Sequence, residues 1–216
     1  MRDYQKERSI IEWFNDNAKG ILNWCCGLGK TKESLYLSKP YVKNYLLIGV
    51  NNISLFGQWI NEIKLFYENI PILCICSKKS NGYQSTLNID VIKKWLKENT
   101  RGVILTTYRS SYKLLNICVS FDFGILDECH HLCNVKAYMS DEEDIVEGNR
   151  NIDILQLDMK KQLGLTATMK ELDTDDDKVD NMDEQVFGKI IDQKSILWGI
   201  DNGHLCDYYL SVPRIT

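Results

Sequence analysis

The sequence predicts an α/β domain with a mainly parallel sheet and helices on both faces. Two observations carry this. Short apolar runs of strand length alternate with longer segments whose apolar residues recur at helical spacing. Several of those runs also stop abruptly in glycine, asparagine, threonine or carboxylate residues, and the strand ends of an open parallel sheet are where ligands collect. The 216 residues suffice for one substantial core, and no internal repeat or low-complexity linker divides them, so they read as a single domain.

In chain order, Asp3 to Asn17 carries Tyr4, Ile10, Ile11 and Phe14 as an approximate helical stripe, with Asp3 placed to cap its start. Gly20 to Trp24 reads as a buried strand, and a helix begins near Thr31, runs toward Lys39 and stops before Pro40. Tyr45 to Val50 is a buried strand opening into Asn51-Asn52, and Ser54 to Tyr67 is an amphipathic helix with Leu55, Trp59, Ile63 and Phe66 inward. Pro71 to Ser77 is another strand, followed by a polar loop from Ser77 to Thr86. Asp90 is placed to cap a helix bearing Val91, Trp95 and Leu96, a right-handed crossover to the strand Gly102 to Thr106. Phe121 to Glu128 is an apolar strand stopped by two carboxylates, and Leu163 to Thr168 is a short strand ending in hydroxyl residues. The acidic runs Asp141 to Asp144 and Asp173 to Asp177 read as solvated loops. The tail predicts a helix near Gln193 to Ile200 and a last strand near Cys206 to Val212.

A composition of 44% hydrophobic and 26% charged residues is that of a globular domain, and no apolar run approaches the length of a membrane span. The charged start, Met1-Arg2-Asp3-Tyr4-Gln5-Lys6, lacks the apolar stretch of a signal peptide. The expected setting is therefore intracellular, cytoplasmic or at a nuclear or viral replication site, with no membrane partner. The eight cysteines are then expected reduced and packed as small hydrophobes, with Cys74 and Cys76 on one strand face. A net charge of −4 carries no global footprint of a nucleic-acid binder, although a protein that grips a backbone through a few loops needs only local donors.

The chemistry starts at Trp24-Cys25-Cys26-Gly27-Leu28-Gly29-Lys30-Thr31, which reads as a phosphate-binding loop. Glycines let backbone N–H groups close around phosphate oxygens and the following helix N-terminus adds partial positive charge. Lys30 can reach the β and γ phosphates, and the Thr31 hydroxyl can hold magnesium. Trp24 stands where the pattern has its first glycine. Asp127 is suited to hold magnesium through water, and Glu128 to orient and deprotonate an attacking water. Cys129-His130-His131-Leu132-Cys133 contains zinc-ligand residue types, but its spacing is not that of a zinc ribbon. Trp13, Trp59 and Trp95 fit the buried faces of amphipathic helices.

Together these segments resemble the first RecA-like lobe of superfamily 2 DExH-box helicases and translocases, which are DNA- or RNA-dependent ATPases of the P-loop NTPase fold. Trp24 to Thr31 resembles motif I, Asn51 to Trp59 motif Ia, Thr106-Thr107-Tyr108 motif Ib, Asp127-Glu128-Cys129-His130 motif II and Thr166-Ala167-Thr168 motif III. Arg2-Asp3-Tyr4-Gln5 resembles the glutamine element that reads adenine. The tail, Phe187-Gly188 through Gly203-His204-Leu205-Cys206-Asp207-Tyr208, is similar to the segment after motif III in excision-repair, type III restriction and large-DNA-virus helicases. Asn51 replaces the usual motif Ia proline.

The resemblance implies ATP and Mg2+ as cofactors. Gln5, with Arg2 beside it, would face adenine, and Cys26, Gly27, Leu28, Gly29, Lys30 and Thr31 would hold phosphates and magnesium. Asp127 would be a metal ligand, Glu128 the catalytic base, and His130 a link to the nucleic-acid side. Thr166 and Thr168 would couple hydrolysis to movement, while Ser54, Gln58, Thr106 and Thr107 would contact a sugar-phosphate backbone, DNA before RNA. The family's second RecA-like lobe, which supplies an arginine to the γ-phosphate, is not within residues 1–216. The chain is accordingly expected to be a fragment, weak or inactive alone as an ATP hydrolase. The alternative is a nucleotide-binding regulatory or scaffold lobe without turnover.

Overall fold

Strands with apolar residues at nearly every position can only be buried on both faces, and a parallel sheet between two helical layers does that. The computed structural model, which describes residues 2–77, 85–133, 152–169 and 183–207, has this architecture. Its sheet comprises β1 (Lys19–Trp24), β2 (Tyr45–Val50), β3 (Ile72–Ile75), β4 (Gly102–Thr107), β5 (Phe123–Asp127), β6 (Gln162–Thr166) and β7 (Lys189–Lys194). These seven run in the order β3-β4-β2-β5-β6-β1-β7 with every pairing parallel. The helices are α1 (Arg8–Asp16), α2 (Lys30–Ser38), α3 (Phe56–Phe66), α4 (Ile89–Glu98), α5 (Tyr112–Leu115), α6 (Glu184–Phe187) and α7 (Ile196–Asp201).

The two-residue period of the strands divides the core into two clusters. Leu46, Ile48 and Val50 of β2 join Ile10 and Phe14 of α1, Leu35 of α2 and Phe56, Trp59 and Ile63 of α3. Leu47 points the other way, to join Ile92 and Trp95 of α4, Leu114 of α5 and Phe187 of α6. Helices thus cover both faces, as the sequence predicts.

Several boundaries differ. The first segment is not one helix: a 3-10 turn, Asp3–Lys6, is separated from α1 by Glu7 in extended conformation at φ −61°, ψ 126°. Arg2 rather than Asp3 caps that turn, its N–H donating to Gln5 Oε1 at 2.9 Å. The break follows from what the turn holds, since the Tyr4 hydroxyl donates to Leu28 O at 2.6 Å and Gln5 Nε2 to Gly29 O at 3.3 Å. Asn88, not Asp90, caps α4, accepting from the N–H groups of Asp90 and Val91, and Ile92 with Trp95 forms its buried face. β6 ends at Thr166 because the Thr166 hydroxyl bonds both N and O of Thr168 and turns the chain. β7 and α6 were not expected, and Gln193 and Lys194 belong to β7 rather than to a helix. This edge strand is largely half-exposed and polar, so it carries no apolar run; main-chain pairing with β1 and the Ser195 cap of α7 define it. Cys26, Cys118 and Cys206 are exposed, contrary to the expectation of burial for all eight cysteines. The acidic runs, most of the loop after Ser77 and the tail beyond Asp207 lie outside the described residues.

Asp122 anchors the start of β5. Its carboxylate accepts from Lys160 Nζ at 2.7 Å and from the backbone N–H groups of Lys43 and Asn44. Burial by itself would raise this carboxyl, but these donors more than offset it and hold the group below its ordinary value. Asp122→Ala is expected to cost about 1–2 kcal/mol in urea unfolding, since it removes the buried acceptor of three hydrogen bonds whose donors, on exposed Lys43, Asn44 and Lys160, water can then reach. Stability from this lowered carboxyl is present at neutral pH and is lost as pH falls through the folded-state value, so the wild-type advantage should shrink in acid.

Candidate nucleotide site

The strand order sets β6 between β1 and β5, and parallel pairing brings the C-terminal ends of all three to one edge. At that edge β1 runs into the phosphate loop, β6 ends in Thr166 and β5 ends in Asp127-Glu128. Gly27 and Gly29 adopt φ of +86° and +85°, where other residues are strained. A Cβ on Gly27 would also lie 2.8 Å from Leu205 Cδ2. Trp24, by contrast, needs no glycine geometry. Its side chain is fully buried, its indole N–H donates to Asp192 Oδ2 at 2.6 Å, and its ring meets Tyr4 edge-on at 5.5 Å.

Lys30 opens α2 with its ammonium buried beneath the loop, donating to Trp24 O at 2.8 Å and lying 3.8 Å from Glu128 Oε1. A cavity of about 400 Å³ lies over it, lined by Cys26, Gly27, Gly29, Lys30 and Thr31 on one side and by Leu55, Gln58, Asp127 and Glu128 on the other. The carboxylate of Asp127 accepts from the Trp59 indole N–H at 2.9 Å, and its carbonyl from the Tyr108 hydroxyl at 2.6 Å. Burial raises the Asp127 carboxyl, with Trp59 and Lys30 acting in the opposite direction.

Glu128 sits in the left-handed region at φ 51°, ψ 52°, a conformation that costs about 1 kcal/mol or more for a non-glycine residue. Its Oε2 lies 3.3 Å from His130 Nδ1, which is also 3.1 Å from Thr166 Oγ1. The Thr166 hydroxyl donates to Thr168 O, so its oxygen accepts from His130, and this assigns the Nδ1–H tautomer. The hydrogen bond from His130 holds the Glu128 carboxyl below its ordinary value despite partial burial, with Lys30 adding to the effect.

The donor set fits a nucleotide with magnesium. Two glycines at positive φ, the N-terminal end of nine-residue α2 and the Lys30 ammonium would hold phosphates. Thr31 and Asp127, a hydroxyl and a carboxylate on one cavity, are hard oxygen donors of the kind Mg2+ takes.

The model of the family described as type III restriction enzyme, res subunit, matches residues 1–171. The chain belongs to this family. No curated protein matches it. Among solved structures, it is similar to a nuclease-deletion mutant of the Type ISP restriction-modification enzyme LlaGI in complex with a DNA substrate mimic. That match has a TM-score of 0.70 and 22% identity over 94% of this chain and 20% of the other. It is also similar to the Sulfolobus solfataricus SWI2/SNF2 ATPase core in complex with dsDNA, at TM-score 0.52 and 20% identity, covering 77% of this chain and 32% of that one. A third is the UvsW helicase from bacteriophage T4, at TM-score 0.54 and 18% identity over 88% of this chain and 58% of the other. The chain thus spans a fifth of the length of the first of these. The shared fold is that of the RecA-like lobe.

In this res-subunit domain the remaining sequence-selected residues divide by exposure. Ser54 and Gln58 are exposed and Thr107 is half-exposed, whereas Thr106 is fully buried, its hydroxyl donating within the backbone to Ile75 O and Thr107 O. Thr106 therefore presents no group to a polymer here. Arg2 is exposed, while Gln5 is buried against the loop with its amide engaged by Gly29 O and Arg2 N. Sequence reasoning missed Trp59, Tyr108 and Asp192 as supports. Trp59 was placed in the core, where it is, but no periodicity tells that its N–H meets Asp127.

Proposed function

We propose that this res-subunit domain binds Mg-ATP and, within the whole protein, couples ATP hydrolysis to movement on a nucleic acid, DNA before RNA. The observation that supports this reading is the convergence of Lys30, Thr31, Asp127 and Glu128 on one cavity, with His130 bonded both to Glu128 and to Thr166. Lys30 would exchange Trp24 O for a phosphate oxygen. Glu128, ionised and steadied by His130, would accept the proton of the attacking water. A change in the Glu128 contacts of His130 would reach Thr166 and Thr168 directly, which gives hydrolysis a route to the end of β6. Magnesium bound by Thr31 and Asp127 would neutralise developing phosphate charge. Ser54, Gln58 and Thr107 would meet the sugar-phosphate backbone, and Gln5 with Arg2 the adenine edge. The second RecA-like lobe would complete the site, so residues 1–216 alone should hydrolyse ATP slowly or not at all.

Fluorescent ATP-analogue binding tests the first half. Lys30→Ala should weaken affinity about 30-fold, the loss expected from truncating a buried charge contact, without unfolding the domain; unchanged affinity would overturn the assignment. The second half is tested by ATPase assays of the whole protein with single- and double-stranded DNA and RNA. Stimulation by DNA is the expected result, and none by any of the four polymers would end the proposal of movement.

A further inference from the structure

Tyr4 sits beside Gln5 in the first turn of the chain, yet its own contacts lead to the phosphate loop. Its ring is buried among Trp24, Trp198 and His204, with ring centroids at 5.5, 5.2 and 4.6 Å. Held there, its hydroxyl donates at 2.6 Å to Leu28 O, a carbonyl between the two glycines of positive φ. The Arg2 guanidinium donates in turn to the Tyr4 oxygen at 3.0 Å, and a charged donor on a hydroxyl oxygen strengthens the bond which that hydroxyl gives. Among the described residues, Tyr4 is the hydrogen-bond donor that Leu28 O has. Gly29 O, one peptide on, has two, Gln5 Nε2 at 3.3 Å and Glu33 N at 3.0 Å.

In a planar trans peptide the C=O and the N–H that follows it point in opposite directions. A donor that fixes Leu28 O therefore fixes the Gly29 N–H, and one that fixes Gly29 O fixes the Lys30 N–H. Gly29 and Lys30 line the cavity over the loop and Tyr4 does not, so the Leu28 carbonyl is drawn away from that space and the Gly29 amide is turned toward it. We propose that Tyr4 is a positioning residue for phosphate: through Leu28 O it aims the Gly29 N–H at the anion, whatever base the nucleotide carries. The role rests on the phosphate-binding reading of the loop. Gly27 and Gly29 give the flanking backbone unusual freedom, so without the hydroxyl the Leu28 peptide can rotate and set its carbonyl, which repels an anion, toward the cavity.

The test measures competition of ATP, GTP and inorganic tripolyphosphate against a fluorescent ATP analogue on the whole protein, wild type beside Tyr4→Phe. The substitution removes one oxygen and keeps the ring against its three neighbours, so the fold is retained, which near-ultraviolet circular dichroism checks. Tyr4→Phe should weaken all three competitors by one common factor, about 5- to 10-fold, the effect of one lost hydrogen bond on an equilibrium constant. Placing 4-aminophenylalanine at position 4 restores a donor to the same point of the ring and should return each affinity to within about threefold of wild type. Should Tyr4→Phe not fold, 4-fluorophenylalanine, which fills the space of the hydroxyl and has no proton to give, takes its place with the same loss expected. Unchanged tripolyphosphate affinity, a loss confined to ATP, or no recovery with the amino variant would overturn the role and leave the loop a phosphate site. A wild-type protein that binds neither nucleotide nor tripolyphosphate would instead end the phosphate reading, and the role of Tyr4 with it.

Discussion

Glu128→Gln is expected to lower ATP turnover of the whole protein by about 10²–10³-fold while leaving nucleotide affinity within about threefold, the pattern of a lost general base. Glutamine keeps the size of the side chain and its hydrogen-bonding reach, so the left-handed backbone at φ 51° and the approach of His130 at 3.3 Å can persist. What it loses is the ability to take a proton. The His130 contact and Lys30 hold the wild-type carboxyl below its ordinary value, so it is ionised throughout the neutral range. Wild-type turnover should accordingly stay insensitive to this group until well into acid, and the variant should be slow at every pH. Steady-state ATPase rates beside equilibrium binding of the same nucleotide check both halves. A turnover rate within tenfold of wild type would assign the base to another residue.

Glu33→Gln is expected to remove a pH dependence of stability on the order of 3 kcal/mol between pH 5 and pH 8. Glu33 lies in the first turn of α2, fully buried, and neither carboxylate oxygen has a hydrogen-bond partner among the described residues. Burial pushes its carboxyl up to about 8; nearby Lys194 opposes that rise, while Asp192 and Glu7 reinforce it. The folded domain therefore keeps a proton that the unfolded chain releases above its ordinary value of 4.5. Stability is complete below that value and is lost as pH rises toward and through about 8. Glutamine has nothing to release. Urea midpoints across this range should converge at pH 5 and diverge at pH 8, with the variant the more stable there. Parallel curves would show that Glu33 finds a partner or solvent when it ionises.

Both residues sit within a few positions of segments that the sequence singles out, yet they differ in legibility. Glu128 is conspicuous because a carboxylate pair ends an apolar strand. Glu33 reads as an ordinary helical glutamate, and only the packing of α2 against the sheet and α3 closes water away from it. The same holds for Trp24. In one dimension it is a departure from a glycine pattern; in three it is a buried indole tied to Asp192, with a carbonyl that receives Lys30.

What the sequence by itself determined is the α/β class, six of the strands and the gathering of Lys30, Thr31, Asp127 and Thr166 at one sheet edge. Buried parallel strands must be apolar, and parallel pairing then carries every strand end to the same side. Only the tertiary structure decided the rest. β7 is a polar edge strand, recognisable by its pairing with β1 and not by its residues. The burial of Thr106, the indole of Trp59 on Asp127, and the unpartnered carboxylate of Glu33 each depend on how elements far apart in the chain rotate against one another. A hydrogen bond needs a partner within about 3 Å at a suitable angle, and periodicity says which face of a strand or helix turns inward but not what it meets there.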